Sequence, residues 1–360
     1  MRLASGIRMP PSPRISALTL AGATLALLAC GTPPSTTTPA APVKTTDDIA
    51  LPATPPPTAS ETAPVASAVA PGSAVASTSA APEEPPGPCA GGMRFVEGSY
   101  CPRVERRCLR KEMNKPNRLE ICHEFAPETR CVAPEEKRAF CIDEYEYPNE
   151  AGAHPVWMVS WWDAEATCRS KGKRLCYASE WTMACEGPDR TPFPYGWARD
   201  QTACNIDNLY INPHLNQMYS SRPETSSREL SRLDQSVASG AMERCVSGYG
   251  VRDMTGNFDE WVTRDDVPKA SDKGKWAALK GGAWGHVRNA CRPMTTSHSP
   301  EFTYYFVSFR CCSDARGYPA YQPTSGAKAP EVKAEDRAPR PVVVDPPGPS
   351  KQKVQPERHR

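Results

Sequence analysis

Cysteine placement constrains this chain more than any other feature. Of the 15 cysteines in 360 residues, one stands apart at Cys30, and the other 14 (15 − 1) lie between Cys89 and Cys312. No two are spaced as CxxC and the 6 histidines are scattered, so the pattern does not describe a zinc site. An even, dense set of this kind reads as a disulfide framework closed in an oxidising compartment. Each crosslink adds roughly 2–4 kcal/mol by restricting the unfolded chain, which lets a fold succeed with less buried apolar surface.

The flanks differ sharply from this middle. Arg2, Arg8 and Arg14 precede an apolar run from Ile15 to Ala29, too short to span a bilayer as a mature helix. It ends Leu27-Leu28-Ala29-Cys30-Gly31, which resembles a bacterial lipobox. Residues 1–29 then form the signal peptide and Cys30 is lipidated, at about 0.8 kcal/mol per buried methylene. The alternative is an ordinary signal peptide cleaved after a small residue. Gly31 is not the Asp that retains lipoproteins at the inner membrane, which points to the outer membrane of a bacterial envelope. Residues 30–88 are rich in Pro, Ala, Ser and Thr and almost without aromatics. They cannot offset the entropy of ordering, and read as a disordered tether. The Pro-rich, charged tail 317–360 reads the same way. A net charge of +2 gives no reason to expect nucleic acid as a partner.

Between them, residues 89–316 are about the right length for one sizeable domain. Gly91 to Gly98 alternates as a strand, and Phe140-Cys141-Ile142-Asp143-Glu144-Tyr145-Glu146 as a half-buried one. Ser160 can cap a helix with Asp163 at N3, and that helix presents Trp161, Ala164 and Cys168 on one face before Gly172. A second helix carries Glu180-Trp181 and reaches Cys185. Further on come Pro194-Tyr195-Gly196-Trp197, Ala203-Cys204-Asn205-Ile206, Asp253-Met254-Thr255-Gly256-Asn257-Phe258-Asp259-Glu260-Trp261, Gly281-Gly282-Ala283-Trp284 and Phe309-Arg310-Cys311.

These motifs, in this order, resemble the formylglycine-generating enzyme, or sulfatase-modifying factor, family. The resemblance covers most of Gly91 to Asp314 and implies an α+β, C-type-lectin-related fold, loop-rich and disulfide-stapled. It also implies that Cys168 pairs with Cys311, and Cys185 with Cys291. The cysteines from Cys89 to Cys141 crowd the start, residues 89–139, where a subregion from Cys101 to Cys131 has no counterpart in the family. Pairing of Cys176, Cys204, Cys245 and Cys312 is left open.

The family's enzymes oxidise a cysteine of a partner peptide to formylglycine with dioxygen and copper(I), a soft ion held by two thiolates. Here the loop after Gly281-Gly282 holds only Cys291, so that pair is missing. Counting from Gly-Gly places His286 and Cys291 at the two catalytic positions, an alternative copper oxidoreductase. Counting back from Phe309 makes Cys291 structural, with the loop shortened. The preferred reading is therefore a surface-anchored, non-catalytic module recognising a protein or carbohydrate ligand. The resemblance further implies a calcium loop, with carboxylates from Asp253 and Glu260 and carbonyls from Gly256 and Phe258. The competing reading is a plain turn with Glu260 in a surface ion pair. A second calcium site would begin at Asn205 and Ile206. Among the tryptophans, most read as core, with Trp157 and Trp162 the expected exceptions.

Overall fold

A computed structural model describes residues 87–115, 118–265 and 276–323. The signal segment, Cys30, nearly all of the tether and most of the C-terminal tail lie outside the described residues. The strands are β1 (Met93–Tyr100), β2 (Val104–Glu105), β3 (Cys108–Asn114), β4 (Leu119–Phe125), β5 (Arg130–Cys131), β6 (Glu136–Asp143), β7 (Arg174–Leu175), β8 (Asp259–Thr263), β9 (Ala277–Lys280), β10 (Met294–Thr295), β11 (Val307–Phe309) and β12 (Cys311–Asp314). The helices are α1 (Trp161–Ser170), α2 (Ala178–Glu186), α3 (Leu215–Met218) and α4 (Pro223–Leu233).

Two four-stranded sheets organise the core, ordered β1-β6-β12-β7 and β10-β9-β8-β11, with β8 and β11 parallel. The alternation in Phe140–Glu146 predicts a half-buried strand, but Phe140, Cys141, Ile142 and Asp143 are all buried. Strand β6 is central, paired with β1 and β12, and both its faces are covered: Phe140 and Ile142 lie in the core cluster, while on the other side Cys141 is bonded to Cys89 and Asp143 accepts from Lys173. The strand also stops at Asp143, leaving Glu144 to Glu146 in a turn.

Helix α1 starts where the Ser160 hydroxyl accepts from the Asp163 amide at 3.1 Å and the Asp163 carboxylate accepts from the Ser160 amide at 3.1 Å. Its Trp161, Ala164 and Cys168 face Trp261, Leu279 and Phe309 in one core cluster. At its end Gly172 adopts φ 69°, a left-handed conformation that ends the helix without a side-chain clash. Helix α2 lacks a hydroxyl cap at Tyr177; instead the Glu180 carboxylate accepts from the Tyr177 amide at 2.9 Å.

Every cysteine among the described residues is paired, in seven disulfides. Cys168–Cys311 and Cys176–Cys312 tie α1 and the start of α2 to adjacent positions of β12. Cys185–Cys291 ties the end of α2 to the loop after β9, and Cys204–Cys245, 41 positions apart, closes the segment that carries α3 and α4. Cys101–Cys131 and Cys108–Cys122 staple the added subregion, a ribbon of β2 with β5 and a hairpin of β3 with β4; Cys89–Cys141 fastens its flank to β6. Trp157 is core, 2 % exposed, contrary to the sequence expectation, because it packs edge-on against Phe258 beneath the 154–159 segment. Trp162 is half-buried, as is Trp197. Among the described residues no helix is long and apolar enough to cross a membrane.

Candidate functional site

The loop that would carry catalysis runs from Gly281 to Cys291. Gly281 and Gly282 adopt φ 91° and 71°, and a Cβ on Gly281 would come within 2.9 Å of the Met254 carbonyl oxygen. The loop is then shaped from within. Asn289, fully buried, donates its amide to the carbonyls of Gly282 at 3.0 Å and Ala283 at 2.8 Å. Arg199 clamps it from outside, donating to the carbonyls of Asn289 at 3.1 Å and His286 at 3.2 Å while paired with Asp207.

His286 and Cys291 face different surroundings. The His286 Nδ1 accepts from the Ala283 amide at 3.2 Å, and its ring meets Phe306 edge-on at 4.5 Å. Cys291 is 0 % exposed, bonded to Cys185 and packed in the cluster that holds Trp181 and Met254. A sulfur in a disulfide is no thiolate, so this residue set does not fit copper(I), and no oxidative step is derived through it. Around His286 the surface is aromatic: His298 stacks on Phe302, Phe302 on Tyr304, and Tyr304 meets Phe306. The 209–219 segment continues this face. Asn208 donates to the Trp284 carbonyl and the Tyr219 hydroxyl to the Thr303 carbonyl, while Leu209 and Tyr210 are 81 % and 68 % exposed.

The turn of Asp253 to Glu260 is a buried charge cluster rather than a surface feature. Glu260, 0 % exposed, accepts from Arg310 Nε at 2.7 Å and Nη2 at 2.6 Å, and from Trp181 Nε1 at 2.9 Å. Arg310 is equally buried and gives its remaining edge to the carbonyls of Glu144 and Asp143. Glu146 accepts from the Phe258 amide at 3.2 Å and the Asn257 side chain at 2.8 Å. Asp253 accepts from the Gly240 amide at 2.7 Å. Burial raises Glu146 well above the usual carboxylate range, helped by the charges of Asp253 and Glu260, and pushes Asp253 up to about 6.

Glycine is obligatory at position 256: with φ 80°, any Cβ would collide with the Asn205 carbonyl oxygen. That contact joins the two segments expected to bind calcium, since the Asn257 amide donates to the Asn205 carbonyl at 2.9 Å and the Asn205 side chain to Asn257 Oδ1 at 3.1 Å. Ile206 is core. Calcium requires six to eight oxygens free to turn toward it. Both Glu260 oxygens are taken by Arg310 and Trp181, and the Asn205 carbonyl by the Asn257 amide. As arranged, Asp253, Gly256, Phe258 and Glu260 do not fit calcium. The positive charge beside Glu260 is Arg310, and the pair is buried, not the surface contact of the plain-turn reading. Sequence reasoning named Phe309-Arg310-Cys311 as a motif but assigned its arginine no role; Glu146 and Asn289 it also left unassigned.

A profile of the sulfatase-modifying factor enzyme 1-like domain matches residues 122–315, more than half the chain. This chain belongs to that family. It is 26 % identical over 176 residues to the mouse formylglycine-generating enzyme, covering 45 % of this chain and 44 % of that one. It is 27 % identical over 168 residues to the mouse protein named inactive C-alpha-formylglycine-generating enzyme 2, covering 45 % and 49 %. The chain thus spans about half the length of the curated relatives it matches. Among solved structures, PvdO from Pseudomonas aeruginosa matches 62 % of this chain and 94 % of its own at 14 % identity and a TM-score of 0.37. The matched region begins inside β4, leaving β1 to β3 before it; the expected unmatched subregion is therefore shorter than Cys101 to Cys131, since β5, one strand of that ribbon, lies within the match.

Proposed function

We propose that this protein is a non-catalytic sulfatase-modifying-factor-like module, held at a bacterial envelope surface by lipid on Cys30 and displayed on a tether to recognise a protein or carbohydrate ligand. One observation carries the reading: the only cysteine of the loop after Gly281-Gly282 is bonded to Cys185 and buried, so neither copper ligation nor attack is open to it. A family that includes a relative named inactive accommodates such loss. What replaces the reactive loop is a half-buried aromatic face around His286, Tyr304 and Phe306, extended by exposed Leu209 and Tyr210. Contiguous exposed apolar surface of this kind is characteristic of binding sites.

The test is turnover. Oxidised protein supplied with copper(I), dioxygen and a reductant is incubated with a Cys-x-Pro-x-Arg peptide. The reading predicts no aldehyde product above the protein-free control, and product that disappears in Cys291→Ser refutes it.

A further inference from the structure

A groove of about 930 Å³ runs between the C-terminal end of α2, the 194–200 segment and the 243–248 turn, and includes neither His286 nor the aromatic face. Two glycines bring its loops together. Gly187 takes φ 66°, where a Cβ would come within 3.0 Å of the Gly248 nitrogen, and a Cβ on Gly248 would come within 2.7 Å of the Pro188 ring. The other walls are also tied down. The Phe125 amide donates to the Trp197 carbonyl at 2.9 Å and the Arg199 amide to the His123 carbonyl at 2.8 Å, which stitches the 197–199 segment to β4. The Cys204–Cys245 disulfide and the Arg244–Asp200 pair, at 3.1 Å, fasten the 243–248 turn to the segment after Trp197. A groove fixed in this way loses little freedom when a ligand enters.

The lining selects the ligand by charge. Glu186 is neutralised by Arg106 and Arg292, at 2.5 and 2.6 Å, and Asp200 by Arg244. Asp189 and Glu243 remain: both are exposed, and neither carboxylate has a hydrogen-bond or ion-pair partner among the described residues. Tyr195 and Trp197, both half-buried, line the same groove. Tyr195 stacks on Phe193, with ring centroids 5.6 Å and planes 10° apart, so its ring is held in place. A cation gains from aromatic faces and from unpaired carboxylates together, and in a concave site these act in concert. A neutral sugar uses the rings and draws nothing from the charge. An anion uses neither, since Arg244, the one cation among the described lining residues, is already paired.

We propose that this groove binds an extended protein segment through a lysine or arginine side chain, its cation seated against Trp197 and Tyr195 and paired with Asp189 and Glu243. At about 930 Å³ the groove lies at the upper end of what a drug-sized ligand fills, room for several residues of chain rather than for one ammonium group. It is a second recognition site, beyond the face around His286, and does not depend on the state of Cys291.

The experiment is calorimetric titration of the oxidised full-length chain with acetyl-Ala-Pro-Lys-Pro-Arg-Ala-amide, whose prolines keep it extended, and with the same peptide carrying norleucine at both cationic positions. A saturable one-site isotherm for the cationic peptide, at least tenfold weaker for the neutral one, supports the proposal; equal binding of the two, or none at millimolar concentration, overturns it. Combining Asp189→Asn with Glu243→Gln, both at exposed positions, should weaken the cationic peptide at least tenfold, and unchanged affinity overturns the proposal. Trp197→Ala should weaken both peptides, which a purely electrostatic surface contact would not show, and unchanged affinity in a folded Trp197→Ala protein also overturns it. Should that variant not fold, the carboxylate variant and the peptide ratio decide. Cellohexaose tests the sugar: its binding, without binding of the cationic peptide, gives the groove to a carbohydrate and overturns the proposal. Peptide turnover measured on the same sample is independent, so failure here leaves the non-catalytic reading untouched.

Discussion

Removing Arg310 isolates the interaction that most distinguishes this core. Arg310→Met keeps length and volume but deletes the charge between Glu260, Glu146 and Asp253. Two short charge-assisted bonds to Glu260 vanish, at 2.6 and 2.7 Å, together with two bonds to the carbonyls of Glu144 and Asp143. Neither partner can be rescued by water, since both are fully buried. Breaking a buried pair by deleting one member costs about 3–5 kcal/mol, mostly the penalty of the stranded charge. At about 2–4 °C per kcal/mol for a domain of this size, the melting temperature falls by roughly 6–20 °C. The assay is urea unfolding of the oxidised protein, followed by tryptophan fluorescence and circular dichroism to confirm a single transition. Adding Glu260→Met to Arg310→Met leaves no stranded charge at that pair, so the double variant should recover more than half of the loss. A single-variant cost below about 1 kcal/mol, or costs that simply add, would refute the reasoning.

Other perturbations probe the remaining arguments. With Arg310 as the counter-charge to Glu260, EDTA should shift the melting temperature by less than about 1 °C; a drop of several degrees that Glu260→Ala abolishes would return Glu260 to a metal. Asn289→Ala strands the carbonyls of Gly282 and Ala283 and should cost about 1–3 kcal/mol, read by the same urea transition. Burial opposes a charge on His154, but its bond to the Asp234 carboxylate prevails and raises its pKa above 6.5. A raised histidine stabilises fully below the unfolded value and loses that contribution as pH rises through the folded one. An NMR titration should therefore place His154 above 6.5 and Asp234→Asn should bring it down.

Local chemistry was the most legible part of the sequence. Ser160 with Asp163 acts within one turn at the start of helix α1 and Gly172 takes a left-handed position at its end, so local spacing marks both ends of that helix. The family motifs carried the order of elements further, since Gly256 and Gly281 sit where a side chain would strike backbone, and Gly282 where it would press on Asn289 and His286. What spacing cannot carry is a partnership across the fold. Glu260 and Arg310 are 50 positions apart, Glu146 and Asn257 111 apart, and the chain's periodicity says nothing of either. Burial of Trp157 was missed for the same reason, because Phe258 covers it from a distant segment.

Mass spectrometry of unreduced peptides, after alkylation of the denatured oxidised protein, measures the state of Cys291 directly. A Cys185–Cys291 linked peptide with no alkylated Cys291 is what a non-catalytic module requires. An alkylated Cys291 in the native-purified chain, with copper(I) bound at one equivalent, would contradict it.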